Sequence, residues 1–123
     1  MNNAEPFYVA VVDDDENFSR SLGRLLRAAG IQSITYRSAE AFLADTKHPR
    51  FDCLVLDIQL GGMSGIELGQ LLIGEERYAP FIYLTAHDDP KVRAGAEAIG
   101  CVAYFSKTDP GADVLNAIRS VAR

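Results

Sequence analysis

Four apolar runs in this chain each stop at a residue able to do polar chemistry. Leu54-Val55-Leu56 runs into Asp57, Val11-Val12 into Asp13-Asp14-Asp15-Glu16, Phe81 to Leu84 into Thr85, and Val102 to Phe105 into Ser106-Lys107. If the runs are neighbouring strands of one sheet, three carboxylates (Asp13, Asp14, Asp57), one hydroxyl (Thr85) and one ammonium (Lys107) share a rim. Carboxylates crowded on a rim repel one another unless a cation neutralises them. A hard divalent ion with oxygen ligands answers that need. Mg²⁺ fits best, being content with one or two carboxylates, waters and a phosphoryl oxygen. Lys107 and Thr85 then serve as a charge and a hydrogen-bond donor for an anion. An anion and Mg²⁺ together indicate phosphoryl chemistry, and Asp57, last on a rigid strand, is the natural nucleophile. Each residue alone has an ordinary reading: a helix N-terminus for the acidic run, a turn for Thr85, a surface charge for Lys107. The argument rests on four strand ends agreeing.

The elements that must position these residues follow from hydrophobic periodicity. Strands are expected at Phe7 to Val12, Ile31 to Tyr36, Cys53 to Leu56, Phe81 to Leu84 and Val102 to Phe105. The mixed polarity of Ile31 to Tyr36 suits a sheet edge. Between them, helical spacing joins Phe18, Leu22, Leu25, Leu26 and Ala29, with Gly30 as the stop. Ser38 caps a short helix through Leu43. Ser64 and Glu67 stand in capping-box spacing before Ile66, Leu68, Leu71, Leu72 and Ile73, with Gly74 as the stop. Asp89-Pro90 opens a helix from Lys91 to Ile99 that is rich in Ala and Gly and buries little beyond Val92, Ala96 and Ile99. Asp109-Pro110 opens the last helix, with Val114, Leu115, Ile118 and Val121 as its apolar positions. Strands alternating with helices predict an α/β fold: a doubly wound five-stranded parallel sheet with right-handed crossovers. Its ligand crevice lies outside the carboxyl ends of the strands.

Composition sets the bounds. The 123 residues fit a single domain over residues 1–123, and a hydrophobic fraction of 48% is ordinary for a globular protein. The net charge of −5 argues against non-specific binding to nucleic acid or to an anionic membrane. No apolar run reaches the ~20 residues of a membrane span. The start Met1-Asn2-Asn3-Ala4-Glu5-Pro6 lacks the features of a signal peptide. Cys53 and Cys101 suggest no disulfide framework, and Cys53 reads as a buried thiol. A cytoplasmic protein is expected.

Along its whole length the chain resembles the receiver domain of bacterial two-component response regulators. The matching stretches are Val11-Val12-Asp13-Asp14-Asp15, Leu54-Val55-Leu56-Asp57, Met63-Ser64-Gly65-Ile66-Glu67, Leu84-Thr85-Ala86-His87 and Tyr104-Phe105-Ser106-Lys107. The resemblance implies a flavodoxin-like (βα)5 fold with strand order 2-1-3-4-5. It implies that Asp57 accepts a phosphoryl group from a histidine kinase, a phosphotransfer protein or a small phosphodonor. Asp14, Asp57 and the carbonyl of Gln59 would hold Mg²⁺, with Asp13 acting through water. Thr85 and Lys107 would contact the phosphoryl oxygens, and Thr85 and Tyr104 would be the switch pair. Gln59 and His87, each two residues past a site residue, would overhang the phosphoryl group and tune its hydrolysis. The changed surface would be the fourth helix, fifth strand and fifth helix. Its reader would be a partner protein, a second copy of the chain, or an effector domain, with no direct contact to nucleic acid. Such a domain is a phosphoacceptor that assists its own phosphorylation and dephosphorylation, not an enzyme.

Two departures stand out. Gly61 occupies the place of the family's usual proline after the acceptor aspartate, and Gly62 follows, which should loosen that loop. Thr108 replaces the usual proline after Lys107, which puts the orientation of Lys107 in question. A receiver-like interaction module would not need the full acidic set. A Mg²⁺-dependent phosphohydrolase of similar layout would want an acid where Gln59 stands. A flavin-binding domain would want a hydroxyl-rich loop after the first strand.

Overall fold

The computed structural model describes residues 7–75 and 79–121. Residues 1–6, on which the signal-peptide reading rests, lie outside them. Elements alternate as β1 (Tyr8–Val12), α1 (Glu16–Ala28), β2 (Gln32–Tyr36), α2 (Ala39–Ala44), β3 (Cys53–Asp57), α3 (Gly65–Glu75), β4 (Phe81–Thr85), α4 (Pro90–Ile99), β5 (Ala103–Ser106) and α5 (Gly111–Ser120). All strand pairs are parallel and the order is β2-β1-β3-β4-β5. The expected fold class and strand order are therefore observed.

Period-two alternation divides the sheet residues between two cores. Val9, Val11, Cys53, Val55, Ile82 and Leu84 face α1 and α5, meeting Leu22, Leu26, Val114 and Ile118. Ala10, Val12, Leu54, Leu56, Phe81 and Tyr83 face the other layer, meeting Phe42 of α2, Leu68 and Leu72 of α3 and Ala96 of α4. Each fully buried large side chain contributes roughly 1.5–3 kcal/mol of transfer free energy. The central strands β3 and β4 are buried at every position, whereas the edge strand β2 buries only Tyr36.

Register then decides the site. Val12 pairs with Leu56 and Asp57 with Leu84, while Thr85 pairs with Ser106. Asp13, Asp57, Thr85 and Lys107 thus emerge at one edge of the sheet. Capping fixes the loops that follow. The Asp15 carboxylate accepts from Phe18 N at 3.1 Å, and Ser38 Oγ from Ala41 N at 3.0 Å. Ser64 and Glu67 form the reciprocal capping box, at 3.1 and 2.9 Å. Asp89 caps α4 with Pro90 in its first turn.

Three boundary expectations are corrected. Gly74 does not stop α3, which continues through it to Glu75. A helix-interior glycine costs about 1 kcal/mol, and the burial of Leu68 and Leu72 on the sheet outweighs that. Asp109 does not cap α5. Pro110 stands at the N-cap with no side-chain bond, and the Asp109 carboxylate instead accepts from Ser106 N at 2.9 Å, closing the turn around Lys107. The fifth strand starts at Ala103, because Val102 is exposed where the chain enters the sheet. Cys53 is a fully buried thiol, as expected.

Candidate functional site

Asp57 closes β3, flanked by β1 on one side and β4 on the other. Its side chain is buried, with Oδ1 accepting from Gln59 N at 3.1 Å. The chain behind it is held close: Ile58 N donates to Leu84 O, and Gly65 N donates to Ile58 O at 3.0 Å. Gly65 is a place where only glycine fits, because a Cβ would collide with the Asp57 carbonyl. Asp13, one residue past β1, is equally buried. Its backbone N–H donates to Tyr36 O, and its Oδ1 accepts from Asp15 N at 2.9 Å. Asp14 is exposed beside it.

Lys107 reaches across from the end of β5. Its Nζ lies 2.9 Å from Asp13 Oδ2 and 3.3 Å from Asp57 Oδ2, with Asp15 Oδ2 at 3.9 Å. The backbone of Lys107 donates to Thr85 O at 2.8 Å, which locks the ends of β4 and β5 together. Thr108 therefore does not prevent Lys107 from entering the site. Burial of Asp57, and next the charge of Asp13, push its carboxyl up from 3.8 to about 6, although the Gln59 amide and Lys107 pull the other way. Burial alone would weaken the Lys107 ammonium, but its hydrogen bonds and charge attraction to Asp13 and Asp57 outweigh that, and its pKa is raised.

Asp13, Asp14 and Asp57 each offer a carboxylate oxygen, all within 4.8 Å of one another. That all-oxygen donor set fits a hard divalent cation such as Mg²⁺. The ammonium already lodged among these oxygens shows how strongly the rim attracts positive charge.

The remaining expected site residues lie around this cluster as follows. Thr85 is fully buried, but its hydroxyl faces its own loop, donating to His87 O at 3.0 Å and accepting from His87 N at 3.1 Å. Gln59 and His87 are exposed. Tyr104 lies in the core on the α4 side of the sheet, with Arg93 stacked over its ring at 5.1 Å. It is buried, and among the described residues its hydroxyl has no hydrogen-bond partner. The sequence reading missed the ring of Phe18, which lies 4.7 Å from Lys107 Nζ. Phe18 reads as one more apolar position of α1, so no pattern distinguished it.

Residues 9–119 match the model of the response regulator receiver domain family. The chain belongs to that family, and its fold is that of a two-component receiver domain. It is 31% identical over 123 residues to the response regulator protein TmoT of Ectopseudomonas mendocina, covering all of this chain and 56% of that protein. The chain thus spans about half the length of the curated relatives it matches. Among solved structures, the receiver protein from Burkholderia phymatum is 39% identical with a TM-score of 0.81, covering 96% of this chain and 95% of the other. FixJ-N is 31% identical with a TM-score of 0.86, covering 97% and 95%. Among the described residues, no helix is long and apolar enough to cross a membrane.

Proposed function

We propose that the chain is a Mg²⁺-dependent phosphorylation switch whose acceptor is Asp57. The observation that carries this reading is the meeting of Asp57, Asp13 and Lys107 at one sheet edge, with the ammonium 2.9 and 3.3 Å from the two carboxylates. Asp13, Asp14 and Asp57, with the Gln59 carbonyl, would hold Mg²⁺, which when bound neutralises oxygen charge and lets a polyanionic donor approach. A carboxylate oxygen of Asp57 then attacks phosphorus in line, breaking the bond to the histidine nitrogen of a kinase or phosphotransfer protein, or to the oxygen of a small donor. Lys107 stabilises the charge on the equatorial oxygens as it develops.

The acyl phosphate adds negative charge beside Lys107 and below the Thr85 hydroxyl. To donate to it, that hydroxyl must release the His87 carbonyl, so the β4–α4 loop shifts with it. Of α4, only Ala96 is fully buried, which makes this helix easy to displace. Tyr104 sits beneath it with Arg93 over its ring, so a displaced α4 would change the surroundings of this side chain. The altered surface of α4, β5 and α5 would be read by a partner protein, by a second copy of the chain, or by an effector domain of a longer regulator. The work of such a domain lies in the cytoplasm, where kinases supply the phosphoryl group.

Beryllofluoride with Mg²⁺, a mimic of the phosphoryl group, tests the proposal. The protein should gain thermal stability with both ligands, the gain should vanish in Asp57→Asn, and the Mg²⁺-dependent part should shrink in Asp14→Asn. An equal response in wild type and Asp57→Asn, or none in the wild type, would favour a receiver-like module that binds its partner without phosphorylation.

A further inference from the structure

The loop from Gln59 to Met63 leaves the acceptor strand with little stiffness of its own, since Gly61 and Gly62 form its middle. Its two ends are fixed. Gln59 N donates to the Asp57 carboxylate, and beyond the loop Gly65 N donates to Ile58 O. Leu60 is buried, but Gly61 and Gly62 are exposed. The middle is held from outside the loop. Glu40, in the first turn of α2, places Oε2 2.8 Å from Met63 N, which donates to it across 23 positions of sequence.

The backbone is shaped for this approach. Gly62 has φ +74°, and a Cβ there would lie 2.7 Å from Glu40 Oε2 and 3.2 Å from Oε1. The carboxylate rests on the loop at the point where a side chain is missing. The Met63 bond holds the Glu40 carboxyl below the usual carboxylate range. The bond also lies just ahead of the N-terminus of α3, where negative charge is favoured by the helix dipole.

We propose that Glu40 is a positioning residue for the metal-binding loop, bracing the glycine-rich turn so that the Gln59 carbonyl and the Asp57 carboxylate keep their relative placement. This rests on the switch reading above. A proline at the Gly61 position would stiffen the turn from within; here the stiffness comes across space from α2. Glu40 touches neither the metal nor the phosphoryl group. It acts through Met63 and the loop backbone, as outer hydrogen bonds do when they orient metal ligands.

The test compares wild type, Glu40→Ala and Glu40→Gln by two readouts: amide exchange at Met63 in metal-free protein, and Mg²⁺ affinity by calorimetric titration. Glu40 is exposed, so neither change should unfold the chain. Glu40→Ala should speed Met63 exchange and weaken Mg²⁺ binding roughly tenfold. Glu40→Gln should keep most of both, because its amide oxygen accepts the same bond. Unchanged exchange in Glu40→Ala would show that no brace exists. Faster exchange with unchanged Mg²⁺ affinity would show that the brace serves the fold alone and would overturn the proposal. A wild-type protein that binds no Mg²⁺ would contradict the switch reading itself and remove the metal role of Glu40 with it, whatever the exchange data.

Discussion

Lys107 Nζ lies 2.9 Å from Asp13 Oδ2, joining residues 94 positions apart in the chain. Asp13 hangs on β1 and Lys107 on the edge strand β5, with β3 and β4 between them. The ammonium spans that distance because its side chain runs across the top of the sheet under the ring of Phe18, leaving it 11% exposed. The acidic rim carries its own counter-ion. If Asp57 is the acceptor, as proposed, its phosphoryl group would offer Lys107 a second anionic partner beside Asp13.

That arrangement has a pH signature. The Asp57 carboxyl is raised to about 6, so the folded protein holds this proton to a higher pH than the unfolded chain does. A carboxyl raised on folding contributes stability that is complete below its ordinary value of 3.8 and is lost as pH rises to about 6. Asp57→Asn removes this loss. In chelator, the melting temperature of wild type should fall relative to Asp57→Asn between pH 4 and 6, and the variant should be the more stable above that window. A shift of two units would correspond to about 3 kcal/mol if fully expressed. Water at the rim screens it to on the order of 1 kcal/mol, a few degrees of melting temperature. Parallel melting curves across pH would mean that Asp57 is not destabilised by its surroundings.

Kinase pairing should map to the outer face of α1. Asn17, Arg20, Ser21 and Arg24 are exposed there, while Leu22 and Leu26 anchor the opposite face in the core. Replacing these four with the residues of an unrelated receiver should cut transfer from a phosphorylated cognate kinase by about tenfold or more, as expected for loss of a docking surface. Transfer from a small phosphodonor should be unchanged. Equal losses with both donors would place the effect in the chemistry.

What could be read from the sequence was whatever a strand imposes by position. Asp13, Asp57, Thr85 and Lys107 each follow an apolar run, and parallel register alone carries them to one edge. Side-chain direction was not readable. The Thr85 hydroxyl bonds to the His87 backbone, a contact within its own loop that no apolar pattern signals. Contacts across elements were equally hidden. Glu40 appears in sequence as an ordinary surface residue of α2, and only the positive φ of Gly62 and the position of Met63 N reveal what it touches. Gly74 misled because a glycine's cost in a helix is small beside the packing of the leucines around it.

The lifetime of the phosphorylated form should depend on Gln59 and His87. Both residues are exposed, and each stands two positions past a residue of the rim, from where its side chain would overhang a phosphoryl group on Asp57. Changing both to Ala would open the approach of an attacking water. Decay of the phosphorylated protein after donor removal, at fixed Mg²⁺, should then speed up by roughly tenfold, equivalent to ~1.4 kcal/mol in the barrier. Mg²⁺ affinity should stay nearly intact, because the Gln59 contribution is its backbone carbonyl. Slower or overlapping decay would show that neither side chain shields the water.

The most direct measurement is the intact mass of the protein after incubation with a small acyl phosphate donor and Mg²⁺. Wild type should gain the mass of one phosphoryl group, lose it slowly once donor is removed, and gain nothing when Mg²⁺ is chelated. Asp57→Asn, nearly isosteric and correctly folded, should gain nothing under any condition. A phosphoryl adduct that forms at the wild-type rate in Asp57→Asn, or a wild-type protein that stays unmodified at saturating donor and Mg²⁺, would contradict the assignment of Asp57 as the acceptor.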